Sequence, residues 1–363
     1  MTVAPKPHAY LHQLESYHIG AKPPQKYRLR LSHNEGPFGP SPKALAAYAA
    51  AAADAHRYPD YTYHALRQAI AAHFGLQADR VVCGNGSDDL ITLLPRIYAG
   101  VGDDIMFSRY GFSVYPLTPH MVGAHGIAVP EDDMRQTIDR LISHLTPKTK
   151  LVFMANPNNP TGQMFTRDDV LRLHAALPQG ALLVYDAAYA DFVTDNRYTD
   201  GFDLARQFNN VVVLRTFSKI HALGGLRIGF AYAQPDIIDA INRVRNPFNV
   251  SAAAEAAAMA SMLDKVHLEK SRNHNAEWRE WMLGKLRGRN DVKAYDSQGN
   301  FILIDFFAPE KAKGMYEHLL SCGIQIRPMT SYQLPNHLRL TIGRAEDVQE
   351  LWEAMEYYLK QHA

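Results

Sequence analysis

Between residues 81 and 233 one pattern recurs: a short apolar run rich in branched side chains, a polar turn, then a stretch with helical periodicity. Apolar runs this short and unbroken suit strands buried on both faces, and a helix between successive strands is what a parallel sheet needs to return to its starting edge. Strands are expected over 81–83, 151–154, 182–185 and 211–214, and helices over 89–99, 134–144 and 168–176. The fold class is therefore α/β, a largely parallel sheet with helices on both faces. After Pro235 the pattern changes. Helices dominate to about residue 286, strands return over 301–305 and 338–342, and a helix over 345–359 ends the pattern, marking a smaller α+β domain. The chain divides into an N-terminal arm (1–35), a large domain (36–249) and a small domain (250–363), with a long helix bridging the two domains. The alanine-rich run 44–53 is a structural helix, since alanine is the cheapest residue to hold in one.

Several of these strands deliver a chemically loaded residue to their carboxyl ends, where open α/β sheets bind ligands. The run 211–214 leads into Arg215-Thr216-Phe217-Ser218-Lys219, and Arg227 follows eight residues after the lysine, beyond Gly224-Gly225. A lysine whose amine is desolvated or lies near other cations becomes nucleophilic and forms Schiff bases with carbonyls, including the aldehyde of pyridoxal phosphate. The plain alternative is a solvated loop lysine. The run 151–154 leads into Asn156-Pro157-Asn158-Asn159-Pro160-Thr161-Gly162, whose prolines and glycine end the strand sharply and fix Asn159 at the sheet edge. The run 182–185 leads into Asp186 and then Tyr189. A carboxylate at the end of a buried strand is costly without a partner, and a protonated pyridine nitrogen would be one. Val81-Val82-Cys83-Gly84-Asn85-Gly86-Ser87-Asp88 reads as strand, glycine turn and helix start, a place that favours a phosphate through free N–H groups and the helix dipole. Ser87 there can equally be a simple helix cap.

The conjunction Asn-Pro-x-Asn-Pro-Thr-Gly, Asp-x-Ala-Tyr and Ser-Lys-(seven residues)-Arg, in this order, resembles pyridoxal-phosphate-dependent aminotransferases of fold type I. Within them the chain is most similar to the histidinol-phosphate aminotransferase family, from Leu31-Ser32-His33-Asn34-Glu35-Gly36-Pro37 to Leu338-Arg339-Leu340-Thr341. The resemblance implies the aspartate-aminotransferase fold, with a mostly parallel seven-stranded sheet, and a transaminase acting on an amino donor and a 2-oxo acid. It implies that Lys219 binds pyridoxal 5′-phosphate and moves the proton, that Asp186 pairs with the ring nitrogen, and that Asn159 and Tyr189 hold the phenolic oxygen. Tyr110 would stack on the ring, and Gly86, Ser87, Asp88, Thr216, Ser218 and Arg227 would cradle the phosphate. Tyr58 would reach the cofactor phosphate of a second subunit, making a homodimer with shared sites. Arg339 would bind the substrate's anionic group, with Arg327 and Tyr17 helping to hold a substrate phosphate. The implied activity is histidinol-phosphate:2-oxoglutarate transamination, with an aromatic amino acid aminotransferase as the alternative. A lyase or decarboxylase shares the same cofactor residues. Two positions depart from the family pattern: Gly36 stands where an asparagine is usual, and Ala222 where a glycine is common.

Composition fits a soluble enzyme. The formal charge of +1 gives no overall field to attract nucleic acid or a membrane surface, so an anionic substrate must be held by local arginines. No DNA-binding segment is evident, which argues against a ligand-sensing regulator built on the same fold. The two cysteines, Cys83 and Cys322, read as free thiols in a reducing compartment. With no signal pattern and no uninterrupted apolar span, a cytoplasmic location is expected. The 17 histidines are scattered without metal-ligand spacing, so no metal is expected, and His221 near Lys219 reads as a packing residue.

Overall fold

A computed structural model of the chain describes residues 27–362. Most of the expected N-terminal arm, Tyr17 included, lies outside the described residues. The large sheet has seven strands in the spatial order Val81–Gly84, Gly229–Tyr232, Val211–Thr216, Leu182–Asp186, Thr149–Ala155, Asp104–Ser108 and His125–Val129. Neighbours are parallel except around Gly229–Tyr232, which runs against both of its partners. Alternation across the pleat divides the core into two layers. Val81, Cys83, Val152, Met154, Leu183, Tyr185, Val211 and Val213 pack on one face. Val82, Leu151, Phe153, Leu182, Val184, Val212 and Leu214 pack on the other.

The one antiparallel strand decides where the chemistry collects. Because Gly229–Tyr232 turns back on Val211–Thr216, with Thr216 opposite Gly229, the intervening loop stays at one sheet edge. That loop carries Ser218, Lys219 and Arg227. Gly84 is also opposite Gly229, which brings the start of the helix Ser87–Tyr98 to the same edge. Asp186 is the last residue of its strand, and Asn156 to Gly162 follow directly on Thr149–Ala155.

The small domain is an antiparallel sheet in the order Arg327–Pro328, His337–Thr341, Phe301–Asp305 and Lys293–Ala294, packed against the helices Pro309–Ser321 and Ala345–Gln361. Its core also takes in Leu31, while Leu29–Arg30 pairs with Ile324–Gln325, so the described end of the arm is stitched to this domain. The helix Ala252–Met262 buries Ala254, Ala257, Ala258 and Met262 in the large-domain core, and Met282, Leu283 and Leu286 enter the small-domain core. Core membership therefore changes over within the 22-residue helix Lys265–Leu286, later in the chain than Asn249. The helix expected over 134–144 is shorter, Ile138–Ser143. Asp133 and Met134 adopt left-handed backbone (φ 48° and 60°), and the Thr137 hydroxyl caps the helix start by accepting from the Arg140 N–H. Among the described residues no helix is long and apolar enough to cross a membrane.

Candidate active site

The strand ends surround a cavity of about 560 Å³ counted to its open mouth. At one end lies a set of anion-binding groups. The helix Ser87–Tyr98 begins there without a side-chain cap, presenting its first N–H groups and the positive end of its dipole, and Ser87, Thr216 and Ser218 line the same space. The Arg227 guanidinium donates to Ser218 Oγ at 3.3 Å and to Asp88 Oδ2 at 3.1 Å. Thr216 donates to Ser218 Oγ at 3.0 Å, so the hydroxyls are already ordered. The approach requires glycine at two points. A Cβ on Gly86, which has φ 84°, would lie 2.5 Å from Arg227 Nη2, and one on Gly229 would lie 2.6 Å from the Ser87 nitrogen. This donor set fits a phosphate dianion. The Asp88 carboxylate, paired with Arg227, is an opposing charge within it.

On the cavity wall, Asp186 is only 5% exposed. Burial pushes its carboxyl up to about 6, opposed chiefly by a hydrogen bond that Tyr115 donates to Oδ2 at 2.6 Å. The Ala188 N–H donates to the other oxygen at 3.2 Å. Among the described residues no cation forms an ion pair with this carboxylate. A cationic ring nitrogen in the cavity would supply one. Tyr115 was not foreseen from the sequence. A buried tyrosine must find a partner for its hydroxyl, but nothing in the chain pattern says that the partner lies 71 residues away at the end of a strand. Its ring stacks on Phe153 at 4.9 Å.

Lys219 closes the site from its other side. Its Nζ donates to the His33 carbonyl at 3.3 Å and lies 5.5 Å from the centre of the Tyr189 ring. Asn159 and Tyr189 both line the cavity. Asn159 Oδ1 accepts from Arg339 Nη1, and Arg339 Nη2 donates to the Ser32 carbonyl at 2.8 Å. Arg327 is the cross-strand partner of Arg339, so two guanidinium groups rise from one register position of the small sheet. Like charges directly opposite one another on a sheet are unfavourable unless an anion offsets them.

Of the tyrosines named from the sequence, Tyr110 and Tyr58 are not among the residues lining this cavity. Tyr110 packs against the cluster of Leu303, Met329 and Leu334, and among the described residues it is Phe112 that lines the cavity. Tyr58 is 83% exposed, its ring 4.7 Å from that of Phe248, and it does not enter its own chain's cavity. Tyr17 lies outside the described residues. His221 is not among the residues lining the cavity. It is buried beside Phe217 and bonded to Ser261, and burial lowers its pKa to about 4. No cluster of metal ligands occurs among the described residues.

The model of the aminotransferase class I and II family matches residues 28–355. The chain belongs to this family. Among its relatives, histidinol-phosphate aminotransferase of Rhodospirillum centenum is 45% identical over 333 residues, 92% of each chain. The crystal structure of histidinol-phosphate aminotransferase from Sinorhizobium meliloti in complex with pyridoxal-5′-phosphate superposes with a TM-score of 0.88 at 27% identity, covering 99% of both chains. A mutant Thermus thermophilus aspartate aminotransferase, 20% identical, superposes with a TM-score of 0.79 over 91% of this chain and 96% of its own. The α/β architecture of this aminotransferase is thus the aspartate-aminotransferase-like fold.

Proposed function

We propose that this aminotransferase uses pyridoxal 5′-phosphate bound to Lys219 to move the amino group of histidinol phosphate to 2-oxoglutarate. The observation that carries the reading is the set of charges at one cavity: an anion cradle at Arg227, a buried carboxylate at Asp186 and a lysine at Lys219, with Arg339 bonded to the lining residue Asn159 and in register with Arg327. The names of the relatives support the substrate.

When bound, the cofactor supplies an aldehyde that condenses with amines and a protonated ring that withdraws electrons from the substrate Cα. Arg227, Ser87, Thr216 and Ser218 hold its phosphate, with Gly86 allowing the close approach and Asp88 steadying Arg227. Asp186 keeps the proton on the ring nitrogen. Asn159 has its oxygen occupied by Arg339, which leaves its amide N–H groups to donate to the cofactor's phenolic oxygen beside Tyr189. Lys219 would be the group that takes the proton from the substrate Cα and delivers it to the cofactor's aldehyde carbon, on the far side of the transferred nitrogen. Tyr110 would have to turn from its packing against Leu303, Met329 and Leu334 to cover the ring face, where Phe112 already lines the wall. Histidinol phosphate lacks an α-carboxylate, so its phosphate occupies Arg339, and Arg327, with Tyr17, adds the second charge that a dianion needs.

The enzyme acts as a homodimer in which Tyr58 completes the partner's phosphate cradle. The exposure of Tyr58 and its neighbour Tyr61, at 83% and 61%, supports a covered face there. A cytoplasmic location goes with this reading, supported by the free thiols of Cys83 and Cys322. The direct test of the attachment site is borohydride reduction of the loaded protein followed by peptide mass mapping. A pyridoxyl adduct is expected on the peptide containing Lys219, and an adduct on another lysine contradicts the assignment.

A further inference from the structure

The segment Ser32–Gly36 passes beside the cavity residue Lys219, whose Nζ donates to the His33 carbonyl, and one of its residues makes bonds that no role described so far requires. Asn34 is 1% exposed and sits in left-handed backbone, φ 56°. Its N–H donates to Thr341 Oγ1 at 3.0 Å. Its carbonyl accepts from Asn300 Nδ2 at 3.0 Å. Its side-chain oxygen lies 3.2 Å from Thr341 Oγ1, and its side-chain nitrogen 2.9 Å from the Tyr189 phenol. These contacts set the donor and the acceptor at each link from Thr341 through Asn34 to Tyr189. A threonine hydroxyl has one hydrogen. Thr341 Oγ1 accepts from the Asn34 backbone N–H and gives its own hydrogen to Asn34 Oδ1. That fixes the amide orientation, so Nδ2 is the atom facing Tyr189, and it donates. A phenol hydrogen prefers the ring plane, where it has two positions. An N–H pointing at the oxygen from one side excludes the hydrogen from that side.

We propose that Asn34, oriented by Thr341, is a positioning residue that aims the Tyr189 hydroxyl hydrogen into the cavity and so makes Tyr189 a donor there. The inference rests on the cofactor reading above, in which the acceptor is the phenolic oxygen of pyridoxal phosphate. It also couples the domains. Thr341 belongs to the small-domain sheet and Tyr189 follows a large-domain strand, so Tyr189 is set as a donor only when the small domain is seated as it is here. The charged and titratable groups facing Tyr189 are Lys219 from the loop after Val211–Thr216, Tyr332 with Arg339 from the small domain, and Asp186 from its own strand. None of them lies between Asn34 and the phenol.

The test is a pH titration of the visible absorbance of the protein loaded with pyridoxal phosphate. A donor to the phenolic oxygen stabilises its ionised form and lowers the pH at which the cofactor's internal proton is lost; removing the donor raises that midpoint. Tyr189→Phe should raise it by about one pH unit or more. Asn34→Asp tolerates left-handed backbone but only accepts, so it draws the phenol hydrogen away from the cavity and should raise the midpoint as Tyr189→Phe does. Since this substitution also adds a charge, the uncharged pair decides. Thr341→Val frees the Asn34 amide to flip and should raise the midpoint, and Thr341→Ser should keep it at the wild-type value. A shift in Tyr189→Phe, with Thr341→Val and Thr341→Ser sharing the wild-type midpoint, overturns the inference and leaves the cofactor reading standing. A wild type without a visible cofactor band, or a Tyr189→Phe variant that titrates as wild type, overturns both.

Discussion

Asp186 carries an electrostatic cost that only a bound partner relieves. Its folded carboxyl titrates at about 6 because burial disfavours the charge. An unfolded aspartate titrates near 4, so the penalty is absent in acid, grows as pH rises between those values, and is complete above the folded pKa, at roughly 2–3 kcal/mol. Asp186→Asn removes that penalty but leaves one of the two donors, Tyr115 or the Ala188 N–H, without an acceptor, at about 1 kcal/mol. The apoprotein of this variant should therefore be more stable than wild type by roughly 1–2 kcal/mol near pH 8, with the gap closing toward about pH 4.5, as read by denaturant unfolding. The loaded variant should instead lose about a hundredfold in the single-turnover half-reaction, because the ring nitrogen loses its counter-charge. An apoprotein destabilised at all pH values would make Asp186 an ordinary structural carboxylate. His221 behaves oppositely. Its pKa is lowered to about 4, so it is neutral in the fold and favours unfolding as pH falls from near 6.5 toward 4. His221→Gln should leave the pH profile of kcat/KM unchanged between about pH 6 and 9.

At the scale of elements, the loop between Val211–Thr216 and Gly229–Tyr232 and the start of the helix Ser87–Tyr98 form one cradle from two distant parts of the chain. Gly86→Ala tests it, since the new Cβ must displace the Arg227 guanidinium and strain a left-handed position. The expected result is a loss of cofactor affinity of about tenfold or more in a spectral titration, with only about 1 kcal/mol lost in folding. What the sequence made legible follows from this geometry. Strand ends and their cargo, Asn159, Asp186, Lys219 and Arg227, are visible because apolar runs and breakers mark them locally. The Tyr115–Asp186 bond, the Asn34–Tyr189 bond and the Arg327–Arg339 register are long-range pairings with no local signature. The two departures from the family pattern prove to touch. A Cβ on Gly36 would lie 2.9 Å from the Ala222 Cβ and 3.2 Å from the Lys219 carbonyl, so the larger residue at 222 occupies the room a side chain at 36 would need.

At the scale of the whole molecule, the role proposed for Tyr58 implies two subunits per working site. Mixing Tyr58→Phe with Lys219→Ala chains should form hybrids with one intact composite site, restoring activity that neither parent has in full; sedimentation showing a fully active monomer contradicts the dimer. The central claim concerns the substrate, where two arginines at one register position set the expectation. A second guanidinium matters for a phosphate dianion and much less for a single carboxylate. The decisive measurement is kcat/KM for histidinol phosphate, phenylalanine and tyrosine with 2-oxoglutarate, in wild type and in Arg327→Ala. Wild type should prefer histidinol phosphate, and Arg327→Ala should lose roughly tenfold to a hundredfold on it while changing little on the aromatic amino acids. A wild-type preference for phenylalanine, or equal losses on all three substrates in the variant, contradicts the account.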